Sequence, residues 1–149
     1  MNVAEMREIV RNLLSSQLLA VLATQMSGQP YTNLVAFAAS ADLKEVLFAT
    51  ARATRKFANL TAEPRVSLLM DDRSNAAADF GQAAAVTVMG AAAEVLGPDR
   101  EARLPLYLQK HPNLEEFVTA PTCALIRVKV EKYILVTRFQ EVREVYPAP

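Results

Sequence analysis

The sequence predicts a mainly β fold, a closed antiparallel barrel with flanking helices, and three observations carry that expectation. The predicted strands are short and follow one another through tight turns, which favours antiparallel neighbours over parallel strands joined by crossovers. Helical patterns occur only at the start, between the third and fourth strands, and before the last strands. The 149 residues, 52% hydrophobic and 21% charged, are enough for one domain (1–149) with a proper core and too few for two ordinary ones.

Residues 3–16 read as an amphipathic helix, with Met6, Ile9, Val10, Leu13 and Leu14 on one face and Asn2 and Glu5 spaced as a capping box. The apolar runs Leu18–Thr24 and Tyr31–Ala39 read as a hairpin across Ser27-Gly28-Gln29-Pro30. After a turn at Asp42-Leu43-Lys44, Glu45–Thr50 is a third strand. Thr54–Leu60 is a short helix closed by Ala62-Glu63-Pro64, and Arg65–Met70 is a fourth strand. Asp71–Gln82 is polar and rich in small residues, hence a long loop.

Ala83–Leu96 contains enough alanine for either helix or strand. Val86, Val88 and Gly90 favour a strand with a bulge or close approach at the glycine. Gly97-Pro98-Asp99 has the form of a helix start, and Pro105 and Pro112 should divide the next segment into short helical pieces. Cys123 is expected as a small hydrophobe opening a buried strand. Ile126, Val128 and Val130 then alternate with Arg127, Lys129 and Glu131, as on a half-buried antiparallel strand, and Val142–Tyr146 is the last.

Sixteen basic and sixteen acidic residues give a formal net charge of zero, which argues against a general nucleic-acid binder. One cysteine allows no intrachain disulfide and suits a reduced, cytoplasmic setting. The N-terminus lacks the form of a signal peptide, and no stretch approaches roughly 20 uncharged apolar residues, so no membrane span and a soluble protein are expected. The single histidine, His111, with one cysteine cannot build a zinc site, and no metal is expected. Followed by Pro112, His111 reads as a surface-turn residue; the alternative is an axial haem ligand. No paired carboxylates and no Ser-His-Asp arrangement suggest themselves.

The sharpest local feature is Phe48–Lys56, FATARATRK, where a strand ends near Thr50 and a helix begins near Thr54. A helix N-terminus offers unpaired N–H groups and the positive end of the macrodipole to an anion. Thr50 and Thr54 add hydroxyls, and Arg52, Arg55 and Lys56 add up to three cations suited to phosphate. Alanines at 49, 51 and 53 would let a ligand approach the backbone. On spacing alone, a solvated helix start with Thr54 as an ordinary N-cap competes with this reading.

In its surroundings the segment resembles the pyridoxamine-5′-phosphate-oxidase-like, FMN-binding split-barrel family. The resemblance spans roughly residues 13 to 95 and rests on the Thr-Arg-Lys helix start, the following Asn-Leu, and Glu-Pro-Arg-Val-Ser-Leu-Leu. It implies a six- or seven-stranded antiparallel split barrel, with the FMN phosphate on Thr54, Arg55 and Lys56. The strand end at Ala49 and Thr50 would lie near the phosphate and ribityl chain, and Asn33, Leu34, Val35 and Ala36 along the isoalloxazine ring. It further implies a homodimer whose cofactor groove is shared between subunits. In the loop after the fourth strand Asn75 is the preferred ring contact, because its amide both donates and accepts; the same residues also suit an exposed turn.

The chain departs from the oxidase proper at Asn33 and Ala38, where that enzyme has Arg and Lys, and at Ala85, where it has glutamine. The C-terminal Arg and His pattern of the oxidase is also missing. The resemblance therefore implies an FMN-dependent oxidoreductase acting on a small-molecule substrate or electron donor other than pyridoxamine phosphate. The alternatives are a non-catalytic FMN- or haem-binding protein and a reductase using the deazaflavin F420.

Overall fold

Alternating apolar residues along seven runs give seven antiparallel strands in the computed structural model, which describes all 149 residues. The elements are α1 (Val3–Ser16), β1 (Leu19–Met26), β2 (Gln29–Ala39), β3 (Glu45–Ala51), α2 (Arg55–Ala62), β4 (Arg65–Asp71) and α3 (Asp79–Gln82). They continue with β5 (Ala85–Glu94), α4 (Gly97–Lys110), a 3-10 turn (Pro112–Leu114), α5 (Glu115–Thr119), β6 (Cys123–Thr137) and β7 (Glu141–Val145). Strand order is β3-β2-β1-β4-β5-β6, and pairing of β3 with β6 closes a six-stranded barrel. The seventh strand, β7, extends the far half of β6 from Tyr133 to Thr137.

The first hairpin turns on two residues only, Ser27 and Gly28, with φ of 52° and 82°. Both left-handed conformations match the strand twist. Gln29 and Pro30, expected in the turn, belong to β2; Pro30 is tolerated because that edge carries no partner strand. At Met89/Gly90 the register of β5 on β6 shifts by a bulge. A Cβ on Gly90 would stand 2.3 Å from the Lys129 carbonyl oxygen, which is the close approach that the glycine permits.

Pro105 does not divide the helical segment: α4 runs unbroken through it. Pro105 and the residue four before it, Glu101, are both exposed, so the carbonyl that loses its donor can face water. The opposite face is held down by Tyr107, which is fully buried, with Leu104, Leu106 and Leu108 packed beside it.

The expectation for His111 is also overturned. It is 5% exposed at the C-terminal end of α4, and its Nε2 lies 2.7 Å from the Phe37 carbonyl oxygen. That carbonyl requires a donor when buried, which a surface turn would not supply. Cys123, by contrast, is buried at the first position of β6, as a small hydrophobe should be.

Two apolar clusters result. One fills the barrel and includes Leu22, Phe37, Phe48, Leu68, Ile126 and Tyr133, with Val10, Leu13 and Leu14 of α1 across its open side. The other lies outside β3 and β6, where Leu47, Ala49 and Leu125 meet Tyr107 and Val118 of α4 and α5. Each large apolar side chain buried in them contributes about 1.5–3 kcal/mol before conformational entropy is counted. No helix is long and apolar enough to cross a membrane.

Candidate functional site

The barrel is split between β2 and β3. β2 pairs with β1 along its length from Gln29 to Ala36, but with β3 only through Phe37–Ala39 against Val46–Phe48. Beyond Phe48, β3 continues with β6 alone, Ala49 to Ala51 facing Leu125 to Cys123. One edge of β2 from Gln29 to Ala36 is thus without a partner strand. Phe37 donates its N–H towards β1, to the Leu18 carbonyl at 3.3 Å. By strand alternation Ala36, Leu34 and Thr32 direct their backbone groups the other way, into the split. Such an edge presents a row of donors and acceptors to a flat polar ligand.

At the far side of the split α2 begins. Thr54 is its N-cap: Phe57 donates its N–H to Thr54 Oγ1 at 3.3 Å. The N–H groups of Arg55 and Lys56 donate to no group of the protein. Thr50, buried at the end of β3, brings its hydroxyl to 3.0 Å from that of Thr54, and both lie 2.9–3.0 Å from the Ala51 carbonyl. Arg55 and Lys56 make no ion pair, and the Arg55 guanidinium sits 5.5 Å from the Tyr31 ring centroid of β2. That contact brings the helix start against the strand edge. A groove of about 770 Å³ adjoins it, lined by Met26, Gln29, Pro30, Tyr31, Arg55, Ala58 and Asn59.

Arg52, the third cation of the sequence motif, is engaged elsewhere. Its guanidinium pairs with Glu94 and donates to the Pro121 carbonyl at 2.8 Å, which ties the end of β3 to β5 and to the start of β6. The Glu94 carboxylate raises the Arg52 pKa. Two cations, Arg55 and Lys56, therefore remain for an anion.

The other expected positions separate by face. Val35 points into the barrel and is buried, while Leu34 points outward and is 64% exposed. Asn33 is half-buried, and its Oδ1 is enclosed without a hydrogen-bond partner. Ala49 is buried beneath α4. Asn75 makes no hydrogen bond to the other expected positions within one chain. β4 runs from the Ala23 end of β1 towards the Leu19 end, so the loop leaves the barrel opposite α2, whose Asn59 bonds to Thr24. Asn75 adopts a left-handed φ of 60°, and the N–H groups of Ser74, Asn75 and Ala76 converge on the Asp79 carboxylate, lowering its pKa.

Sequence reasoning missed Tyr107. Its hydroxyl donates to the Ala36 carbonyl of β2 at 3.1 Å. Burial, with the Cys123 thiol nearby, pushes its pKa up to about 12, while the backbone N–H of Ala49 acts on the same hydroxyl in the opposite sense. The only signal was a tyrosine on the apolar face of α4. His111 beside it and Lys110, whose ammonium lies 3.8 Å from the Phe37 ring centroid, fix the same helix end to β2.

Residues 6–137 match the sequence family described as pyridoxamine 5′-phosphate oxidase. The chain belongs to this family. No curated protein matches it in sequence. Solved structures share the fold. A haem-binding protein from Mycobacterium smegmatis superposes with a TM-score of 0.82 at 17% identity, covering 94% of this chain and 57% of its own. The chain thus spans little more than half the length of that protein. An FAD-binding protein from Mesorhizobium loti gives 0.71 at 18% identity, over 91% of this chain and 92% of its own. General Stress Protein 26 from Bacillus anthracis gives 0.73 at 16% identity, over 95% and 98% respectively.

Proposed function

We propose that this member of the pyridoxamine 5′-phosphate oxidase family binds FMN and acts as an FMN-dependent oxidoreductase. The observation that carries the reading is the start of α2: two backbone N–H groups without a protein acceptor and two cations without an ion pair lie together there, with Arg55 against Tyr31 of the unpaired strand edge. That donor set fits a phosphate monoester. Thr54, Arg55 and Lys56 would hold the phosphate, with Thr50 behind them, and the edge of β2 from Asn33 to Ala36 would align the ring. When bound, the flavin supplies hydride chemistry; the protein supplies grip, orientation and exclusion of water. The similarity to an FAD-binding structure agrees with a flavin.

A second copy of the chain completes the proposal. Leu19, Leu34 and Leu69 are 54%, 64% and 39% exposed, and Val21 is paired with both Leu34 and Leu69. They form an apolar patch on the outer sheet face beside the split, of the kind that isologous dimers bury. A haem held by His111 is disfavoured by that residue's burial and by the engagement of its Nε2 with Phe37.

Titration of the purified protein with FMN, followed by visible absorption and flavin fluorescence, tests the assignment. Saturable binding at one flavin per chain, with reduction by NADH or NADPH, supports it. Absence of FMN uptake refutes it, as would a Soret band on haem addition to a protein that ignores flavin. Bound flavin that no electron donor reduces would leave binding without the oxidoreductase activity.

A further inference from the structure

We infer that the groove between the tip of the β1–β2 hairpin and α2 is a second subsite, which takes the adenine of a dinucleotide flavin whose FMN half lies on the cradle and the edge of β2. The inference rests on the proposed flavin binding and concerns what the far side of the phosphate carries. Along β2, Asn33 to Ala36, proposed for the ring, lie on one side of Tyr31, and Gln29 and Pro30, which line the groove, lie on the other. Arg55 meets the strand between them, its guanidinium over the Tyr31 ring at 5.5 Å from the centroid. A ligand that runs from the ring positions to the start of α2 and continues in the same direction enters the groove.

The lining suits a flat, uncharged group. The groove of about 770 Å³ falls in the range of small-molecule sites, about 300–1,000 Å³. Arg55 is its one charged residue and the one residue it shares with the phosphate cradle. A guanidinium stacks on aromatic rings, and bases stack on both, so Arg55 and Tyr31 offer planar surfaces to a base. Asn59 supplies the polar recognition group. It is 2% exposed, and its Nδ2 donates to Thr24 Oγ1 at 3.0 Å. Its Oδ1 accepts from no group of the protein and stays accessible on the groove wall. A side-chain carbonyl so placed selects a ligand with an N–H donor, which the exocyclic amine of adenine provides.

Titration of the full chain with FMN, FAD and ADP tests the subsite, by flavin fluorescence for the first two and calorimetry for the third. FAD is expected to bind about tenfold more tightly than FMN, the value of stacking one base. Ala58 is exposed on the groove wall, three residues after Arg55, so Ala58→Leu narrows the groove without entering the core. In that variant FMN should keep its wild-type affinity while the preference for FAD disappears. Equal affinities of the wild type for the two flavins would overturn the adenine subsite and leave the flavin reading in place. So would an undiminished preference in Ala58→Leu, or a parallel loss of FMN. Wild-type protein that binds neither flavin would sink the flavin reading instead, and ADP then decides the groove. ADP binding that weakens about tenfold in Ala58→Leu would uphold the adenine subsite, and no ADP binding would overturn it as well.

Discussion

The hydroxyls of Thr50 and Thr54 stand 3.0 Å apart, one at the end of β3 and the other capping α2, and both reach the Ala51 carbonyl. The sharing has a use. While Thr50 satisfies Ala51, Thr54 can turn its proton to an anion without leaving that half-buried carbonyl unpaired. Thr50→Val keeps the volume and removes the substitute donor, so FMN binding should weaken by about 0.5–1.5 kcal/mol with α2 intact. Thr54→Ala removes the cap as well and should lower unfolding stability by about 1 kcal/mol. Denaturation and FMN titration of the two variants separate the effects; a Thr50→Val protein with wild-type affinity would refute the shared-acceptor account.

Arg52 and the pair Arg55 and Lys56 should behave oppositely on substitution. The double variant Arg55→Ala/Lys56→Ala is expected to lose about 1.5–3 kcal/mol of FMN binding for each charge-assisted contact, while riboflavin binding and stability stay near wild type. Arg52→Ala should instead lower stability, because it unties Glu94 and the Pro121 carbonyl, and leave FMN affinity largely unchanged. Equal losses of FMN affinity in both variants would show that Arg52 belongs to the phosphate site after all.

Much of the barrel was legible in the sequence because its signals are local. Apolar alternation marked the strands, and the Asn2–Glu5 capping box forms with both of its hydrogen bonds. Gly90 marked the bulge, since a close approach demands a residue without Cβ. What stayed hidden depends on residues far apart in the chain. The partner that removes Arg52 from the anion site lies 42 residues away. His111 and Tyr107 serve carbonyls of β2 more than 70 positions earlier, and no spacing rule records such a bond. Pro105 misled for the same reason: tertiary packing of Tyr107 outweighs the local cost of a proline in α4. The split itself arises where β2 stops pairing with β3, which the strand pattern alone does not specify.

Gly90→Ala should destabilise the fold without touching the cradle. The added methyl would meet the backbone carbonyl of Lys129 at 2.3 Å and its carbon at 3.0 Å, and neither can swing aside as a side-chain end could. Relief requires moving β5 from β6, at about 1–3 kcal/mol. Urea denaturation measures it; a variant as stable as wild type would mean that the bulge is softer than its geometry implies.

Lys110 sets a pH dependence. Its ammonium is half-buried between α1, α4 and β2, donating to the Leu14 carbonyl at 2.8 Å and lying 3.8 Å from the centre of the Phe37 ring. Desolvation lowers its pKa from 10.5 to about 8. The unfolded chain, with the ordinary value, therefore binds more protons than the folded one between those two pH values. Stability attributable to Lys110 must then rise with pH across that window and fall as pH drops back through about 8. Lys110→Met keeps the length of the stem without the charge. The unfolding free energy of the wild type, relative to this variant, should increase between about pH 8 and 10.5, read from urea denaturation at matched ionic strength. The carbonyl and the aromatic face both favour the charged form, so a difference that falls with pH would show that they outweigh desolvation at this site.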